Sequence, residues 1–428
     1  MLLAISFALL AAAERVSIAG AIFDNADAPI EGATVYVYTA RTKEGPNLLC
    51  PSCYADCGKR FVTQSDGSFQ LEGLDPSLIF NLLIVRREYA PLLIERIDPQ
   101  SGPVKAKMSR IDPARLAPDH SVRGRVINSD GQPVRDAIVE PAWLVLADGS
   151  WTGTLRSGID NMSITDERGE FVITSEKPLK EMTIKISARG YAPKTGEKLE
   201  PATPQKDIAV VRGATVSGRV FLKGVPLQNV SLGLVQTRSA RGPDEFLGPM
   251  EVTTNDSGRF SFYCVAPQQD YYIYGIHDSF APYGALAINS VTVHRDGESV
   301  DLGDLTAEKG NNLSGTLKTS DATPLPTDTH LIISRDNAWH CSFIKVGEKG
   351  NFDVTNLPSE SYSISVHCPG YAISTKNESY SYRSLRGLIT RDLENLTILL
   401  DPAAPDAPRQ SEPFRPELAG KLIAGVTN

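Results

Sequence analysis

The hydrophobic positions of this chain fall in short runs, and turn-forming residues bound each run. The stretch from Ser121 to Pro193 shows this best: it opens with the alternating residues Val122-Arg123-Gly124-Arg125-Val126, turns at Asp130-Gly131-Gln132-Pro133, and closes at Gly190-Tyr191-Ala192-Pro193. Strands of a few residues with a turn about every ten positions are typical of an antiparallel β-sandwich. Helical periodicity is almost absent from the chain.

The same unit recurs along the chain. Each copy has a glycine in its opening strand, a hairpin glycine followed two positions later by phenylalanine, and a closing aromatic residue joined to alanine. The opening glycines are Gly20, Gly124, Gly218 and Gly315. The hairpin pairs are Gly67 with Phe69, Gly169 with Phe171, Gly258 with Phe260, and Gly350 with Phe352. The closing pairs are Tyr89-Ala90, Tyr191-Ala192, Phe280-Ala281 and Tyr371-Ala372. A spacing of about 90 to 100 residues matches one sandwich domain.

The repeat predicts an all-β protein made of four tandem antiparallel Greek-key β-sandwich domains. The predicted domains span 14–110, 118–212, 213–308 and 309–402, and a linker and tail follow at 403–428. We expect the hairpin glycine to supply the positive φ of a tight turn. We expect the phenylalanine after it to point inward, where its burial contributes roughly 2 to 3 kcal/mol.

Residues 1–13 predict a secretory signal peptide. They form an apolar run that ends in Ala11-Ala12-Ala13, as a signal h-region with a small-residue cleavage site would. No Lys or Arg precedes the run, so an apolar lead-in to the first strand is the alternative. Export predicts a secreted, periplasmic or cell-surface protein.

The length and net charge of the chain limit the kinds of partner that it is expected to bind. The chain has 428 residues, which is too long for one hydrophobic core, and a formal net charge of −8. Because this charge is mildly acidic and no block of like charges occurs, we expect no nucleic-acid partner. After the N-terminus no apolar run approaches the roughly 18 residues that cross a bilayer, so we expect no membrane span in the mature chain.

Half of the six cysteines lie in one loop of the first copy, Cys50-Pro51-Ser52-Cys53-Tyr54-Ala55-Asp56-Cys57. Three interpretations stay open. An exported protein is expected to oxidise such a cluster to a disulfide. The three thiolates could instead bind zinc or an iron–sulfur centre, with Asp56 as the fourth ligand. Thiol redox chemistry at Cys50 and Cys53, with Cys57 as a resolving thiol, is the third, although no helix N-terminus is predicted there to activate it.

Two His-Cys dipeptides, His340-Cys341 and His367-Cys368, occur on neighbouring predicted strands. Adjacent side chains of a strand point to opposite faces, so the two members of a dipeptide cannot easily reach one metal ion. A disulfide between Cys341 and Cys368 is therefore the favoured prediction. Cys264 lies in an apolar strand and is expected to be a buried free thiol.

Trp151 is the ligand-binding candidate. It follows the turn residues Ala147-Asp148-Gly149-Ser150, which favours partial exposure of the indole. An exposed indole can stack on a pyranose ring of a carbohydrate, and packing of the ring within the fold is the alternative.

The sequence supports no enzyme assignment. It contains no Gly-x-Ser-x-Gly nucleophile elbow, no glycine-rich phosphate loop ahead of a helix and no metalloprotease-type histidine motif. No catalytic residue is therefore predicted.

Several motifs resemble carboxypeptidase regulatory-like domains. They are the recurring Val-x-Gly-x-Val opening, Asp-Gly-Gln-Pro-Val-x-Asp-Ala-x-Val at 130–139, Thr-Asp-x-x-Gly-x-Phe at 165–171 and Gly-Tyr-Ala at 190–192. That family belongs to the transthyretin-like β-sandwiches, near the carbohydrate-binding-like folds. The resemblance covers almost all of 15–401 and implies a non-catalytic accessory or binding module of an exported bacterial protein. No residue matches the zinc ligands of the carboxypeptidase itself, so that activity is not implied.

Two functions remain as hypotheses. The first is an exported non-catalytic scaffold or binding module without a cofactor, whose sandwiches present loops to a carbohydrate or protein partner at the cell surface. The alternative is a metal-binding or thiol-redox protein that uses the loop from Cys50 to Cys57, with zinc or another metal as its cofactor.

Overall fold

The computed structural model describes residues 15–43, 54, 56–86, 88–111, 116–153, 162–237, 245–381 and 383–403. The chain forms two compact units, Met1–Pro113 and Ala114–Asn428. The described part of the first unit contains one pair of β-sheets, and that of the second unit contains three pairs. We call these pairs the first to fourth sandwich. The predicted signal peptide at 1–13 and all but residue 403 of the predicted tail lie outside the described residues.

The first sandwich pairs the sheet β4-β1-β7 with the sheet β3-β2-β5-β6. Its strands are β1 (Val16–Asp24), β2 (Thr34–Thr42), β3 (Arg60–Val62), β4 (Ser68–Leu74), β5 (Leu78–Val85), β6 (Leu92–Ile97) and β7 (Val104–Met108).

The second sandwich pairs β12-β8-β15 with β10-β9-β13-β14, where β11 also pairs with β9. A short 3-10 helix, Pro118–His120, precedes it. Its strands are β8 (Ser121–Ile127), β9 (Ile138–Leu146), β10 (Trp151–Gly153), β11 (Ser163–Ile164), β12 (Glu170–Thr174), β13 (Leu179–Ser187), β14 (Lys194–Leu199) and β15 (Lys206–Ala209).

The third sandwich contains two sheets. One has the order β17-β16-β20, and β23 also pairs with β16; the other has the order β19-β18-β21-β22. Its elements are β16 (Ala214–Leu222), β17 (Val225–Pro226), β18 (Ser231–Gln236), β19 (Met250–Thr253), β20 (Arg259–Val265), β21 (Gln269–Gly275), α1 (His277–Phe280), β22 (Asn289–Val293) and β23 (Ser299–Ala307).

The fourth sandwich pairs β27-β24-β32-β29 with β26-β25-β28-β31-β30. Its strands are β24 (Asn311–Thr319), β25 (His330–Arg335), β26 (Cys341–Lys345), β27 (Asn351–Leu357), β28 (Glu360–His367), β29 (Tyr371–Ile373), β30 (Tyr380–Ser381), β31 (Ser384–Ile389) and β32 (Leu393–Pro402).

The prediction of an all-β protein built from Greek-key sandwiches is confirmed, and the sheets add one feature that the pattern did not indicate. The first and last strands of each sandwich pair in parallel: β1 with β7, β8 with β15, β16 with β23, and β24 with β32. Every other strand pair among the described residues is antiparallel.

The opening glycine and the hairpin phenylalanine of each repeat are cross-strand partners. Gly20 lies opposite Phe69, and the same register joins Gly124 to Phe171, Gly218 to Phe260, and Gly315 to Phe352. A Cβ atom on Gly124 would lie 2.6 Å from Cζ of Phe171. The ring therefore occupies the space of the missing side chain, and the four phenylalanines are at most 5% exposed. The hairpin glycines have φ between +69° and +79°, as expected.

A buried threonine hydroxyl recurs in the first three sandwiches. Thr165 Oγ1 donates to the Val134 carbonyl at 2.7 Å and accepts the Ala137 N–H at 2.8 Å. Thr63 and Thr254 make the same pair of bonds in the first and third sandwiches. One hydroxyl thus satisfies two buried backbone groups of the loop that enters the second strand.

The closing alanine of the repeat lies where one sandwich of the second unit meets the next. A Cβ atom on Gly213, ahead of the third sandwich, would lie 2.9 Å from Cβ of Ala192 in the second. Asn356 Nδ2 of the fourth sandwich donates to the Ala281 carbonyl of the third at 2.7 Å.

Among the described residues, no helix has the length and apolar character required to cross a membrane.

Candidate functional site

Trp151 lies on an outward face of the second sandwich. The pairing of β10 with β9 places Trp151 opposite Val145 and Trp143 opposite Gly153. Leu144 belongs to the core, so the alternation along β9 turns Trp143 and Val145 outward. The indoles of Trp143 and Trp151 stack with centroids 4.9 Å apart and an interplanar angle of 20°. Trp151 remains 60% exposed, so the face of its ring that does not contact Trp143 is open.

Charged residues adjoin these indoles on the same face, because directly opposite residues of paired strands share a face. On β13, Glu181 lies opposite Val145. Its Oε1 lies 3.0 Å from Nζ of Lys198 on β14, and the two side chains form an ion pair. Lys185 lies opposite Glu140. Burial raises the pKa of Glu140 and lowers the pKa of Lys185, and the attraction between the two opposes both shifts. The face therefore combines one flat apolar ring with hydrogen-bond donors and acceptors.

Asp56 is fully engaged within the first sandwich. Arg15 Nη1 donates to both of its carboxylate oxygens at 3.1 Å, and Lys59 Nζ donates to Oδ1 at 2.7 Å. The Asp75 N–H donates to Oδ2 at 2.8 Å. The carboxylate is 2% exposed, so a metal ion would have to displace two cations to reach it. These contacts give Asp56 a structural role within the first sandwich, and its role as a metal ligand stays a prediction.

Cys57 lies in the same turn, and Cys50 and Cys53 lie outside the described residues. The Cys57 N–H donates to the Tyr54 carbonyl at 2.9 Å, and the side chain packs against the first core. Burial raises the pKa of the Cys57 thiol to about 11. A thiol with this pKa is protonated at neutral pH, which is unfavourable for a nucleophile or a metal ligand.

Cys341 and Cys368 do not form the predicted disulfide. Both are free thiols. The register places Cys341 opposite Ser334, whereas Cys368 follows His367, which is opposite His330, and contacts Thr329 at 3.5 Å. Ser334 and Thr329 are five positions apart on one extended chain, or about 17 Å, and a disulfide requires Cα atoms within about 7 Å. Sequence spacing could not reveal this, because it does not give the register.

The two His-Cys dipeptides are also separated. His367 Nε2 lies 3.4 Å from Asp328, while His340 contacts Ser342 at the boundary with the third sandwich. Cys264, predicted to be buried, is half-buried and has a φ of +58°. Within the described ranges, no group of three or more His, Cys, Asp or Glu side chains could hold a metal ion.

The contact between the third and fourth sandwiches is a feature that the sequence pattern did not predict. An apolar cluster forms there, in which Val235, Tyr274 and Ala338 are fully buried. Phe246 and Trp339 pack against it, with ring centroids 4.3 Å apart. The Tyr274 hydroxyl donates to the Trp339 carbonyl across the contact at 3.2 Å.

A buried ion pair lies at this contact. Arg335, 3% exposed, donates to both carboxylate oxygens of Glu360 at 2.9 and 2.7 Å. Both residues belong to the fourth sandwich, and both bond to the third: Arg335 Nη1 donates to the Gly275 carbonyl at 2.7 Å, and Glu360 Oε1 accepts the Ile288 N–H at 2.9 Å. Each charge is therefore neutralised, and backbone groups of the neighbouring sandwich complete the network.

One sequence signal could have indicated this contact. In a strand with one solvated face, apolar and polar residues alternate, but β25 contains the continuous apolar run Leu331-Ile332-Ile333. Leu331 and Ile333 face the core of the fourth sandwich. Ile332 and Ser334, which alternate with these core residues, are also buried, which shows that the other face of this sheet is covered.

No protein-family model matches this chain. No curated protein sequence matches it either. Among solved structures, it is similar to a streptococcal ancillary pilin, with a TM-score of 0.26 and 13% identity over 69% of this chain and 99% of that chain. It is also similar to the Bacillus anthracis TIE protein, with a TM-score of 0.19 and 12% identity over 92% of this chain and 76% of that chain. For the minor pilin GBS52 of Streptococcus agalactiae, the TM-score is 0.21 and the identity 12% over 46% and 99% of the two chains. Likeness at these TM-scores assigns neither fold nor function to this chain.

Proposed function

We propose that this chain is an exported, non-catalytic multi-domain β-sandwich protein that acts as a scaffold or binding module at the bacterial cell surface, and that its second sandwich binds carbohydrate at Trp151. The observation that carries the proposal is the open indole face of Trp151, 60% exposed and supported from behind by Trp143. A large exposed aromatic ring that is held rigidly is typical of a binding surface.

The geometry of the two rings favours a sugar as the ligand. A pyranose stacks its C–H face on one flat ring, and its hydroxyls require donors and acceptors nearby. Trp151 supplies the ring, and Glu181 and Lys198 supply the polar groups. Proline-rich peptides instead dock in grooves between aromatic rings. Here the two indoles stack on each other at 4.9 Å, so no groove separates them.

The family proposal remains that of a carboxypeptidase regulatory-like protein, on the motifs of the second repeat. The metal or redox alternative has less support. Asp56 already binds Arg15 and Lys59, and the pKa of Cys57 is raised.

The test is a glycan array probed with the full chain, followed by titration of each glycan that binds. We expect Trp151→Ala to weaken binding at least about fivefold, because aromatic stacking contributes roughly 1 kcal/mol. Tyr263→Ala is the matched control, since Tyr263 is an aromatic residue of the third sandwich with 64% exposure. Equal binding by Trp151→Ala and Tyr263→Ala, or no bound glycan, would contradict the carbohydrate proposal.

A further inference from the structure

Two histidines face each other across the contact between the third and fourth sandwiches. His277, in α1 of the third sandwich, is 7% exposed. Its Nε2 lies 2.9 Å from the Thr355 carbonyl and its Nδ1 lies 3.1 Å from Oγ of Ser342, both in the fourth sandwich. His340 Nε2 lies 3.4 Å from the same Ser342 hydroxyl. One serine therefore joins the two imidazoles.

The positions of the protons in this series of hydrogen bonds follow from the groups at its two ends. A carbonyl only accepts, so His277 Nε2 must donate to Thr355, and in a neutral ring His277 Nδ1 is then an acceptor. The single hydroxyl proton of Ser342 satisfies that acceptor. His340 Nε2 then donates to the Ser342 oxygen. All three side chains in this chain of hydrogen bonds are satisfied when both rings are neutral.

The charges around His340 disfavour a second proton there. Burial lowers the pKa of His340 to about 4, Asp278 opposes this shift, and the positive charge of Arg335 adds to it. Arg335 is itself neutralised by Glu360. The contact with His277, at 3.6 Å, is the first cause that lowers the pKa of Asp278. The side chain of Asp278 is 72% exposed, which limits its compensation of a buried cation. Burial, with Asp278 second, raises the pKa of Cys341 to about 12, so this thiol stays neutral.

We propose that mild acid opens the contact between the third and fourth sandwiches, with His340 as the group that takes up the proton. In the closed contact His340 is held as a neutral ring beside Arg335, and in the open state water can solvate its cation. Opening would expose the apolar cluster of Val235, Tyr274 and Trp339. The chain would thus hold its last two sandwiches together at neutral pH and release them at acid pH.

The sign and size of the effect follow from proton linkage. A group whose pKa is lower in the closed state contributes stability above its ordinary pKa of 6.5, and this stability is lost as the pH falls from 6.5 towards about 4. With these two values, the closed-to-open ratio falls about 30-fold between pH 7.5 and pH 5. The change comes from one proton.

Amide hydrogen exchange of the full chain tests the proposal. The Ile288 N–H donates to Glu360 across the contact, so it exchanges when the contact opens. After correction for intrinsic exchange, we expect its opening constant to rise about 30-fold from pH 7.5 to pH 5. The Ala137 N–H, bonded to Thr165 in the second sandwich, is the internal control and should change little. No increase at Ile288, or an equal increase at both amides, would overturn the proposal.

A variant pair assigns the effect to one residue. His340→Gln keeps a neutral donor and removes the titration, so the increase at Ile288 should fall below about 3-fold. His294→Gln changes an exposed histidine of the third sandwich and should keep the full increase. A full acid response in His340→Gln would refute the role of His340. If that variant does not fold, the comparison of Ile288 with Ala137 in the unmodified chain still decides whether acid opens this contact.

Discussion

Two aromatic pairs in the second unit have similar chemistry and opposite surroundings. Trp143 and Trp151 stack 4.9 Å apart on an open face of the second sandwich, and Trp151 is 60% exposed. Phe246 and Trp339 lie 4.3 Å apart and pack into the apolar cluster between the third and fourth sandwiches. The Phe246–Trp339 pair is covered by other residues of the chain, whereas the Trp143–Trp151 pair leaves the Trp151 ring exposed.

Packing within the fold accounts for the position of Trp339 but not for the position of Trp151. Trp339 contributes to holding two sandwiches together, together with the Arg335–Glu360 ion pair. Trp151 contributes one stacking contact and leaves most of its surface in water. Its position is therefore better explained by a ligand than by stability, which is the basis of the carbohydrate proposal.

The largest expected effect comes from breaking the closed contact. Arg335→Met should destabilise the third and fourth sandwiches by about 3 to 5 kcal/mol, because Glu360 would be left buried without its cation. Urea denaturation followed by Trp339 fluorescence, with Trp143 and Trp151 replaced by Phe, measures this locally.

The control is Arg125→Met, which removes an ion pair to Asp207 that is exposed on both sides. A solvent-exposed pair contributes little to stability, so this variant should resemble the parent. Arg335→Met/Glu360→Leu should recover only part of the loss, since the Gly275 carbonyl and the Ile288 N–H stay unpaired. Equal stability of Arg335→Met and Arg125→Met would show that the contact does not depend on the buried pair.

The next comparison is between the two tryptophans. Trp339→Ala should cost about 2 to 4 kcal/mol, because it leaves a void in a covered apolar cluster. Trp151→Ala should cost less than about 1 kcal/mol, because most of the ring is already in water. Urea denaturation followed by circular dichroism compares the two. If Trp151→Ala were as destabilising as Trp339→Ala, the exposed ring would be a structural residue, and the argument for a ligand would fail.

Much of the fold could be predicted from the sequence, because local rules govern the repeated positions. The hairpin glycines needed a positive φ, and the phenylalanines after them needed burial. What the sequence could not provide was the register. Phe171 covers Gly124 only because β12 and β8 pair in one alignment, and the parallel pairing of β8 with β15 depends on how the strands cross between sheets.

The candidate sites show the same limit more sharply. Trp151 could be identified because turn residues precede it. Its support by Trp143 could not, since it depends on the pairing of β10 with β9. A disulfide between Cys341 and Cys368 is predicted from their neighbouring strands, and the register keeps the two residues apart. Arg335 has no local signature at all, because its partners belong to another sandwich or to a strand that is distant in sequence.

The smallest expected effect concerns the open face itself. Thr183 lies opposite Trp143, is 1% exposed, and its hydroxyl has no hydrogen-bond partner among the described residues. Thr183→Val keeps the shape and removes a buried polar atom, so we expect stability to be unchanged or raised by up to about 1 kcal/mol. Thr165→Val in the same sandwich should lower stability by about 1 to 3 kcal/mol, because it removes the hydrogen-bond partner of the Val134 carbonyl and of the Ala137 N–H. Urea denaturation of both variants checks the contrast. A loss in Thr183→Val as large as that in Thr165→Val would mean that the Thr183 hydroxyl is bonded, for example to a bound water, and that the open face is more ordered than its direct contacts indicate.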